Sequence, residues 1–340
     1  MISVIMLAYG DEEWLEDAVD AVLTSEGVDL ELVLVDNGAT GDVVHRVIAA
    51  HPEIVLVRPD RNLGFTGGVN LGVQHAHGDR VALVNSDAVV EPDCLEHLAR
   101  ALDDDALGIA GGLVLLAEPG RSGQETVNSA GNPVHVLGLC WSGGLGSSPD
   151  SVPEVSDHAS VSGACLMLRR EVWERLGGFP EEYFAYMEDM ELCWRAWQQG
   201  YAVRLIASAR CHHHYEFSRS PLKMYLVERN RLLFVMTNYQ ARTLALLGVP
   251  LIGFDMAMLV VAAAQGWGAQ KLSGWGWILS HPRWVRSRRA DVQRARTVPD
   301  RDLARLLTDT FDSEQMPLPE AAQPLQGLLR GWWRGARRLL

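Results

Sequence analysis

The stretch ISVIMLAYGDEEWLEDAVDAVLTSEGVDLELVLVDN, residues 2–37, alternates between two hydrophobic patterns. Residues 2–8 and 31–37 are short apolar runs of the kind found in strands buried on both faces. Residues 11–26 between them show helical periodicity. The apolar face of this helix comprises Trp14, Leu15, Ala18, Val19, Val22 and Leu23. Strand, helix and strand in this order predict a parallel pair joined by a right-handed crossover.

The same alternation continues through the first third of the chain. Further strands are expected at 54–59 and 80–87, and further helices at 67–78 and 91–105, the last with Pro92 near its start. Repeated units of this kind predict an α/β fold with a mainly parallel central sheet that is flanked by helices.

The second part of the chain contains longer loops and a change in composition. Residues from about 120 to 160 are rich in Gly, Ser and Pro, which predicts long loops. A strand and a short helix are expected within 162–179, followed by a helix at 187–199. This second helix is expected to face the core with Met187, Met190, Leu192, Cys193 and Trp197. The composition then shifts, so we expect one domain at 1–240 and a mainly helical C-terminal region at 241–340.

Charge is divided unevenly along the chain. The 340 residues are 48% hydrophobic and 21% charged, an ordinary globular composition, and the net charge is −13. Residues 281–340 contain 12 arginines, no lysine and 7 acids, which gives +5 and leaves −18 for the first 280 residues. The acidic body argues against nucleic-acid binding, and the basic end is expected to meet a different partner.

The cysteines and the N-terminus indicate a cytoplasmic protein. The five cysteines are odd in number and contain no CxxC pair, which favours reduced thiols. The first residues, MISVIMLAYGDEEW, contain neither a basic segment nor a small-residue cleavage site. They are therefore expected to form a strand rather than a signal peptide.

Polar side chains follow three of the expected strands: Ala8–Tyr9, Asp36–Asn37 and Asn85–Ser86–Asp87. Parallel strands present their carboxyl ends at one edge of a sheet, where ligands bind. Carboxylate and amide oxygens at such an edge suit Mg²⁺ or Mn²⁺ held against a diphosphate. The alternative is that Asp36 and Asp87 only cap turns or helices.

Two further segments could contact an anionic ligand or a metal. The glycine-rich segment RNLGFTGGVN (61–70) precedes a helix but matches neither GxGxxG nor a P-loop, so dinucleotide-binding and P-loop enzymes are poorly supported. The segment CHHHY (211–215) follows the short strand-like run AVRLI and contains three candidate imidazole ligands, or three structural histidines. HExxH and zinc-type Cys/His spacing are absent from the sequence, which argues against a zinc hydrolase.

The segment YFAYMEDMELCWRAWQQGY (183–201) places acids beside a large aromatic cluster. Glu188 and Asp189 fall in the first turn of the expected helix, where acids interact favourably with the helix dipole. A carboxylate walled by aromatic side chains also suits a general base, because its surroundings set its pKa. The residues alone leave both interpretations open.

Together these segments resemble family 2 glycosyltransferases, especially the rhamnosyltransferase-like branch. The resemblance covers about residues 1–240. The segments that match are VIMLAYGDEEWLEDAVDAVL, LVLVDNGATGD, RNLGFTGGVNLGVQHA, ALVNSDAVVEPDCLEHL, SGACLMLRREVWERLGGFPEEYFAYMEDMELCWRAWQQGY and ERNRLLF. The resemblance implies a GT-A fold, with a nucleotide-sugar-binding half at about 1–115 and an acceptor and catalytic half at about 116–240.

The resemblance also implies roles for single residues. The nucleotide-sugar-binding residues would be Ala8, Tyr9, Asp36, Asn62, Gly64, Asn70, Asn85 and Ser86. Asp87 would bind Mg²⁺ or Mn²⁺, and Asn85 stands where the family's metal motif has its first Asp. His213 would complete the metal shell, with His212 and His214 as alternatives. Asp189 matches the catalytic base, with Glu188 as its partner in the Glu-Asp motif, and the acceptor side would comprise Tyr186, Trp194, Arg229 and Asn230.

The implied reaction is an inverting transfer of a sugar from a nucleotide-diphosphate sugar, dTDP-rhamnose or a UDP-hexose, to a hydroxyl of a glycan, glycolipid or small molecule. A nucleotidylyltransferase is disfavoured because LAYGDEEW is acidic where that class needs a basic glycine-rich loop. The alternative from another class is a catalytically inactive glycan-binding or scaffold protein of the same fold.

The C-terminal region raises the question of a membrane. Residues 243–264 are apolar over about the length of a bilayer span but include Pro250, Gly253 and Asp255, so a pair of core helices, an interfacial segment and a span all remain open. LQGLLRGWWRGARRLL (325–340) alternates apolar and Arg residues. We expect this region to contact the inner face of the plasma membrane peripherally. The alternatives are a solvated helix that packs on the enzyme body and a contact between subunits.

Overall fold

The computed structural model describes residues 1–118, 123–214, 220–312, 315 and 323–340. The chain forms two compact units. The first comprises Met1–Asn132, Ser142–Ala196 and Tyr201–Phe217, and the second Pro133–Trp141, Trp197–Gly200 and Ser218–Leu340. The expected boundary near residue 240 is thus displaced, because the helix that begins at Pro221 packs with the C-terminal helices.

The strands of the described chain are β1 (Ile2–Gly10), β2 (Leu30–Ala39), β3 (Val55–Val57), β4 (Arg80–Val84), β5 (Ala88–Val90), β6 (Leu107–Leu116), β7 (Val127–Ser129), β8 (Val134–His135), β9 (Val155–Asp157), β10 (Cys165–Arg169), β11 (Ala202–His213) and β12 (Leu307–Thr308). The α-helices are α1 (Leu15–Leu23), α2 (Val43–Ala50), α3 (Gly64–Gln74), α4 (Cys94–Ala101), α5 (Arg170–Leu176), α6 (Glu188–Gln198), α7 (Pro221–Asn238), α8 (Ala241–Ala264), α9 (Gly268–Ser280), α10 (Pro282–Ala295), α11 (Asp300–Leu303) and α12 (Gln323–Leu339).

The first unit is built on a ten-stranded sheet with the order β3-β2-β1-β4-β10-β6-β11-β5, with β7 beside β6 and β9 beside β11. β1 pairs in parallel with β2 and β4, β2 with β3, and β6 with β11. β10 runs antiparallel to both β4 and β6. The predicted α/β fold with a central sheet flanked by helices is confirmed. Its first four strands, β1 to β4, are parallel as expected, and the sheet as a whole is mixed, because β5, β7, β9 and β10 pair antiparallel.

The core of this unit follows the predicted periodicity in its first part. Leu15, Ala18, Val19 and Val22 of α1 are fully buried against the sheet. Trp14 was expected on the same face, but it lies before the first turn and stacks on the ring of His214, with centroids 3.6 Å apart.

Several elements differ from their predicted form. β6 was not predicted, and the expected loop region 120–160 contains the short strands β7, β8 and β9. α3 begins at Gly64 rather than at 67, and β11 continues through the first two histidines of CHHHY. Tyr215 of that segment lies outside the described residues.

Helix α6 is buried on every side rather than on one face. Its polar residues Glu191 and Arg195 are both buried, and they form an ion pair at 2.7 Å. Met187 was expected within this helix, but it precedes α6 and has a φ of 69°. Because even the charged residues of α6 are buried as an ion pair, the helix has no single hydrophobic face.

The second unit contains helices α7 to α12 and a two-stranded sheet of β8 and β12. α7 packs against α9 and α10, and α8 packs against α9 and α12. In the described part of the chain, α8 is the one helix long and apolar enough to cross a membrane, with a mean hydropathy of 2.2 over its most apolar window, of which 11% is buried. Of the three alternatives for this segment, the pair of buried core helices is excluded, since α8 is one continuous and largely exposed helix.

Candidate functional site

The carboxyl ends of β1 and β2 lie side by side. Ala8 and Asp36 are paired in the parallel register, and the side chain of Tyr9 is exposed. Asp36 accepts hydrogen bonds from the Arg58 guanidinium at 2.9 Å and from the backbone N–H groups of Gly38 and Ala39. Partial burial alone would raise the pKa of Asp36, but these donors hold it below its usual value. Asp36 is therefore an ionised acceptor at the strand end.

The glycine-rich segment is fixed by two asparagines. Asn37 donates to Oδ1 of Asn62 at 2.9 Å and accepts from the N–H of Leu63, and Oδ1 of Asn62 also accepts from the N–H of Gly64 at 2.7 Å. Gly64 has a φ of +71°, and a Cβ there would lie 2.4 Å from the carbonyl oxygen of Phe184. A side chain at position 64 would thus collide with the loop that leads to α6.

Asn70 on α3 connects to the same loop region. Its amide nitrogen donates to the carbonyl oxygen of Phe179 at 2.9 Å, and its Oδ1 accepts from the N–H of Phe179 at 2.9 Å. In the structure this side chain ties α3 to the backbone of Phe179. The predicted role of Asn70 in binding the nucleotide-sugar stays a prediction.

The acidic pair lies at the start of α6 behind a strained loop. Phe184, Tyr186 and Met187 all have φ values between 64° and 69°, a region that residues with side chains rarely adopt. Asp189 accepts from the N–H of Gly163 at 3.0 Å through Oδ2 and from its neighbour Met190 at 2.7 Å through Oδ1. Backbone strain of this kind clusters at functional sites, and here it lies directly before the two acids in the chain.

Burial changes the acidity of both carboxyl groups. It raises the pKa of Glu188 to about 8, with the charge of Asp189 as a second cause. Burial also raises the pKa of Asp189, against the lowering effect of the N–H groups of Gly163 and Met190. Glu188 is therefore a neutral acid at pH 7, and Asp189 is a stronger base than an exposed aspartate.

The end of β11 brings one histidine to the predicted metal residue. Nε2 of His213 lies 3.1 Å from Oδ1 of Asp87, and its Nδ1 lies 3.1 Å from Oδ1 of Asn128. When Nδ1 donates to Asn128, Nε2 presents a lone pair to a carboxylate oxygen, and two acceptors this close require a proton or a cation between them. The arrangement thus fits a divalent metal ion with one imidazole and one carboxylate ligand.

The other two histidines point elsewhere. His212 lies with its Nε2 3.2 Å from Oε1 of Glu91, and the ligand atoms of Glu91, Glu125 and His212 lie within 4.8 Å of one another. His214 stacks on Trp14, and its N–H donates to the carbonyl oxygen of Asp87 at 2.9 Å. Of the three histidines, His213 is the one whose ring nitrogen faces the Asp87 carboxylate.

A further acid, Glu12, which the sequence analysis missed, lies near Asp87. Glu12 accepts from the N–H of Tyr9 at 2.6 Å and hydrogen-bonds Ser86. Burial raises the pKa of Glu12 to about 7, and the nearby charge of Asp87 contributes to the rise. Glu12 joins the end of β1 to the Asn85–Ser86–Asp87 turn, in which the N–H of Asn85 donates to the carbonyl oxygen of Ala164. The acidic run at residues 11–13, directly after the first strand, was the feature of the sequence that could have indicated Glu12.

Three of the four predicted acceptor-side residues are corrected. Trp194 is 1% exposed inside α6 and offers no face to a sugar. Arg229 and Asn230 are buried in the second unit, where the guanidinium of Arg229 donates to Asn230 and lies over the rings of Tyr225 and Trp277. They pack helices rather than line a surface. Tyr186 is 38% exposed, and its role stays a prediction.

Comparison with known proteins identifies the family. The sequence profile described as "Glycosyl transferase family 2" matches residues 3–177, which is half of the chain. The chain belongs to glycosyl transferase family 2. The predicted identity as a glycosyltransferase is thereby confirmed.

Curated relatives of this glycosyltransferase are named for O-antigen biosynthesis and for rhamnosyl transfer. The O-antigen biosynthesis protein RfbC of Myxococcus xanthus is 29% identical over 64% of the chain, but this chain spans only 18% of its length. The N-acetylglucosaminyl-diphospho-decaprenol L-rhamnosyltransferase of Mycobacterium tuberculosis is 25% identical over 63% of the chain and 76% of its own length. The predicted likeness to the rhamnosyltransferase-like branch of family 2 is confirmed.

Solved structures confirm the GT-A fold of this family 2 enzyme. The mannosyltransferase PcManGT of Pyrobaculum calidifontis, in complex with GDP-Man and Mn²⁺, has a TM-score of 0.52 at 18% identity and covers 86% of this chain and 85% of its own. TarS 1-349 of S. aureus in complex with UDP-GlcNAc has a TM-score of 0.53 at 16% identity and covers 99% of this chain and 89% of its own.

Proposed function

We propose that this glycosyltransferase moves a sugar from a nucleotide-diphosphate sugar to an acceptor hydroxyl by a single displacement with inversion. Asp189 takes the proton of the acceptor hydroxyl, and the acceptor oxygen attacks the anomeric carbon. The bond from that carbon to the diphosphate oxygen breaks, and the nucleoside diphosphate leaves with the bonding electrons. Atoms and charge balance without a further co-reactant.

The observation that best supports this proposal is the pair formed by Asp87 and His213. Their facing oxygen and nitrogen atoms, 3.1 Å apart, suit Mg²⁺ or Mn²⁺. Asn128 would orient His213 from the other side of its ring. A bound divalent ion would neutralise charge that develops on the departing diphosphate.

The surroundings of Asp189 support its role as the base. Two backbone N–H groups fix its carboxylate oxygens, and burial raises its pKa toward the range where a base works well. Glu188, neutral at pH 7 because burial raises its pKa to about 8, adds no second negative charge beside it. The exposed ring of Tyr186 lies within the same loop, and we propose that it contacts the acceptor.

For the donor, we propose dTDP-rhamnose or a UDP-hexose, and for the acceptor a glycan or a glycolipid. The rhamnosyltransferase relative is named for a diphospho-decaprenol acceptor. The TarS structure contains UDP-GlcNAc, which favours UDP as one nucleotide to test. Asp36, an ionised acceptor at the end of β2, would hydrogen-bond the nucleoside.

The test is a thermal-shift panel of dTDP, UDP and GDP with their sugar conjugates, each with and without Mn²⁺. A ligand that binds only the folded protein raises its apparent stability. We expect a metal-dependent shift with one nucleotide, followed by slow hydrolysis of its sugar conjugate, with NMR showing an inverted anomeric configuration in the product formed with an acceptor. Metal-dependent binding without turnover of any conjugate would favour the inactive binding protein instead.

A further inference from the structure

Helix α8 of the second unit has two contrasting faces. The residues of its buried face are Thr243, Leu247, Asp255 and Ala262. The residues of its exposed face are Val249, Ile252, Met256 and Val260, which are between 46% and 70% exposed. Their spacing of three, four and four residues places the exposed side chains in one stripe along the helix. A continuous apolar stripe of this length marks an interaction surface.

Buried ion pairs fix the inner face of α8. Asp255 accepts from Arg231 of α7 at 3.0 Å and from Lys271 of α9 at 2.8 Å, and Lys271 also donates to Glu228 at 2.6 Å. The two cations have 0% side-chain exposure. Moving α8 alone into a bilayer would break these pairs and place a carboxylate in hydrocarbon, at high cost. The helix therefore offers only its outer face to a partner.

Helix α12 packs beside α8. The indole N–H of Trp332 donates to the carbonyl oxygen of Leu246 at 2.7 Å, which fixes α12 against α8. Trp333 and Ala336 form its buried side. The apolar residues on its exposed side are Leu325, Leu328, Trp332 and Leu339, which are between 46% and 70% exposed.

Arginine is the charged residue of α12. The segment Gln323–Leu339 contains four arginines and no acid, and Arg334, Arg337 and Arg338 are exposed. Exposed Leu and Trp side chains beside Arg are the pattern of a helix that lies in the interface of an anionic membrane. An isologous contact between two copies would instead bring the same arginines toward each other, which is unfavourable.

We propose that the exposed faces of α8 and α12 form one membrane-binding surface for an anionic lipid bilayer. This membrane-binding surface comprises Val249, Ile252, Met256, Val260, Leu325, Leu328, Trp332 and Leu339, with the exposed arginines of α12. Its apolar side chains enter the boundary between headgroups and acyl chains, and the arginines contact anionic headgroups. The inference concerns where the enzyme works and is independent of which sugar it transfers.

The test is cosedimentation of the full chain with phosphatidylcholine vesicles that contain or lack phosphatidylglycerol, without donor or acceptor. We expect binding to the anionic vesicles that weakens with salt. The double variant Ile252→Asp/Val260→Asp should bind at least roughly tenfold less tightly, since it replaces two aliphatic side chains that enter the membrane by charges. Arg337→Glu/Arg338→Glu should lose roughly tenfold as well. The control Val155→Asp changes an apolar residue of the first unit that is 55% exposed, against 66% for Ile252 and 70% for Val260, and should bind as the wild type does.

A second measurement covers the case in which a charged variant does not fold. Ile252→Cys and Val155→Cys, each labelled with an environment-sensitive dye, keep the surface apolar. We expect a blue shift on addition of anionic vesicles at position 252 and none at 155. Equal binding to both kinds of vesicle, unchanged binding of the Asp double variant, or no shift at 252 would overturn the proposal. So would a wild-type dimer in solution that the Asp double variant dissociates, because the surface would then belong to a second copy.

Discussion

Nε2 of His213 lies 3.1 Å from Oδ1 of Asp87, although the two residues are 126 positions apart in the sequence. β11 brings them together, because its last residue pairs with Ala88 at the start of β5, directly after Asp87. The pair therefore depends on the register of these two strands. The same register turns the neighbouring His212 toward Glu91.

Replacing Asp189 by Asn should greatly slow transfer while leaving donor binding intact. The amide retains the size and one acceptor of the carboxylate but cannot take the acceptor proton, so kcat should fall roughly 100- to 10,000-fold. Steady-state kinetics with the donor found in the nucleotide panel measure this. The matched control is Glu188→Gln, which should retain most of its activity because Glu188 is already neutral at pH 7. An Asp189→Asn enzyme with wild-type kcat would exclude Asp189 as the base.

The stability of the protein should fall as the pH rises through the range set by Glu188. Its pKa is raised from 4.5 to about 8 by burial, so between these values the unfolded state releases a proton that the folded state keeps. Glu188 makes its full contribution to the stability of the folded state below about pH 4.5, and this contribution is lost by about pH 8. Glu188→Gln should therefore gain stability relative to the wild type across this window, on the order of a few kcal/mol. Urea unfolding of both proteins at several pH values gives the difference, and a constant difference would contradict the assigned pKa.

Gly64→Ala should destabilise the protein more than Gly41→Ala. Both glycines have a positive φ, of +71° and +74°, so alanine costs about 1 kcal/mol at either position. A Cβ at position 64 also meets the carbonyl oxygen of Phe184, whereas at 41 nothing lies within 4 Å. We expect a further loss of about 1–3 kcal/mol and reduced activity for Gly64→Ala. Thermal unfolding compares the two, and equal midpoints would show that the loop before α6 does not approach Gly64 as described.

The sequence was sufficient for most of the first third of the chain because its strands and helices follow simple periodicity. It was insufficient for β6, where Gly111 and Gly112 resemble a break. A Cβ at Gly111 would lie 2.4 Å from Val161, so this glycine is there for close packing within a strand.

Most errors in the predicted site concern polar residues whose contacts form only in the folded protein. Arg229 and Asn230 were expected to face an acceptor. Inside the second unit, however, the Arg229 guanidinium donates to Asn230 and lies over aromatic rings of α7 and α9. Sequence patterns do not reveal that these two side chains are buried, since that depends on how α7 packs against α9. Glu12 was missed for the same reason, because its contact with Ser86 joins the ends of separate strands.

The most direct test of the account is Mn²⁺ binding followed by electron paramagnetic resonance, in the presence of the nucleoside diphosphate that the panel identifies. The wild type should bind one ion per chain, and Asp87→Asn and His213→Ala should each weaken that binding by at least the roughly 10- to 100-fold seen when support for a metal ligand is lost. His212→Ala is the matched control and should bind as the wild type does. Undiminished binding in both Asp87→Asn and His213→Ala, or loss only in His212→Ala, would contradict the proposed metal site and move it to the group of Glu91, Glu125 and His212.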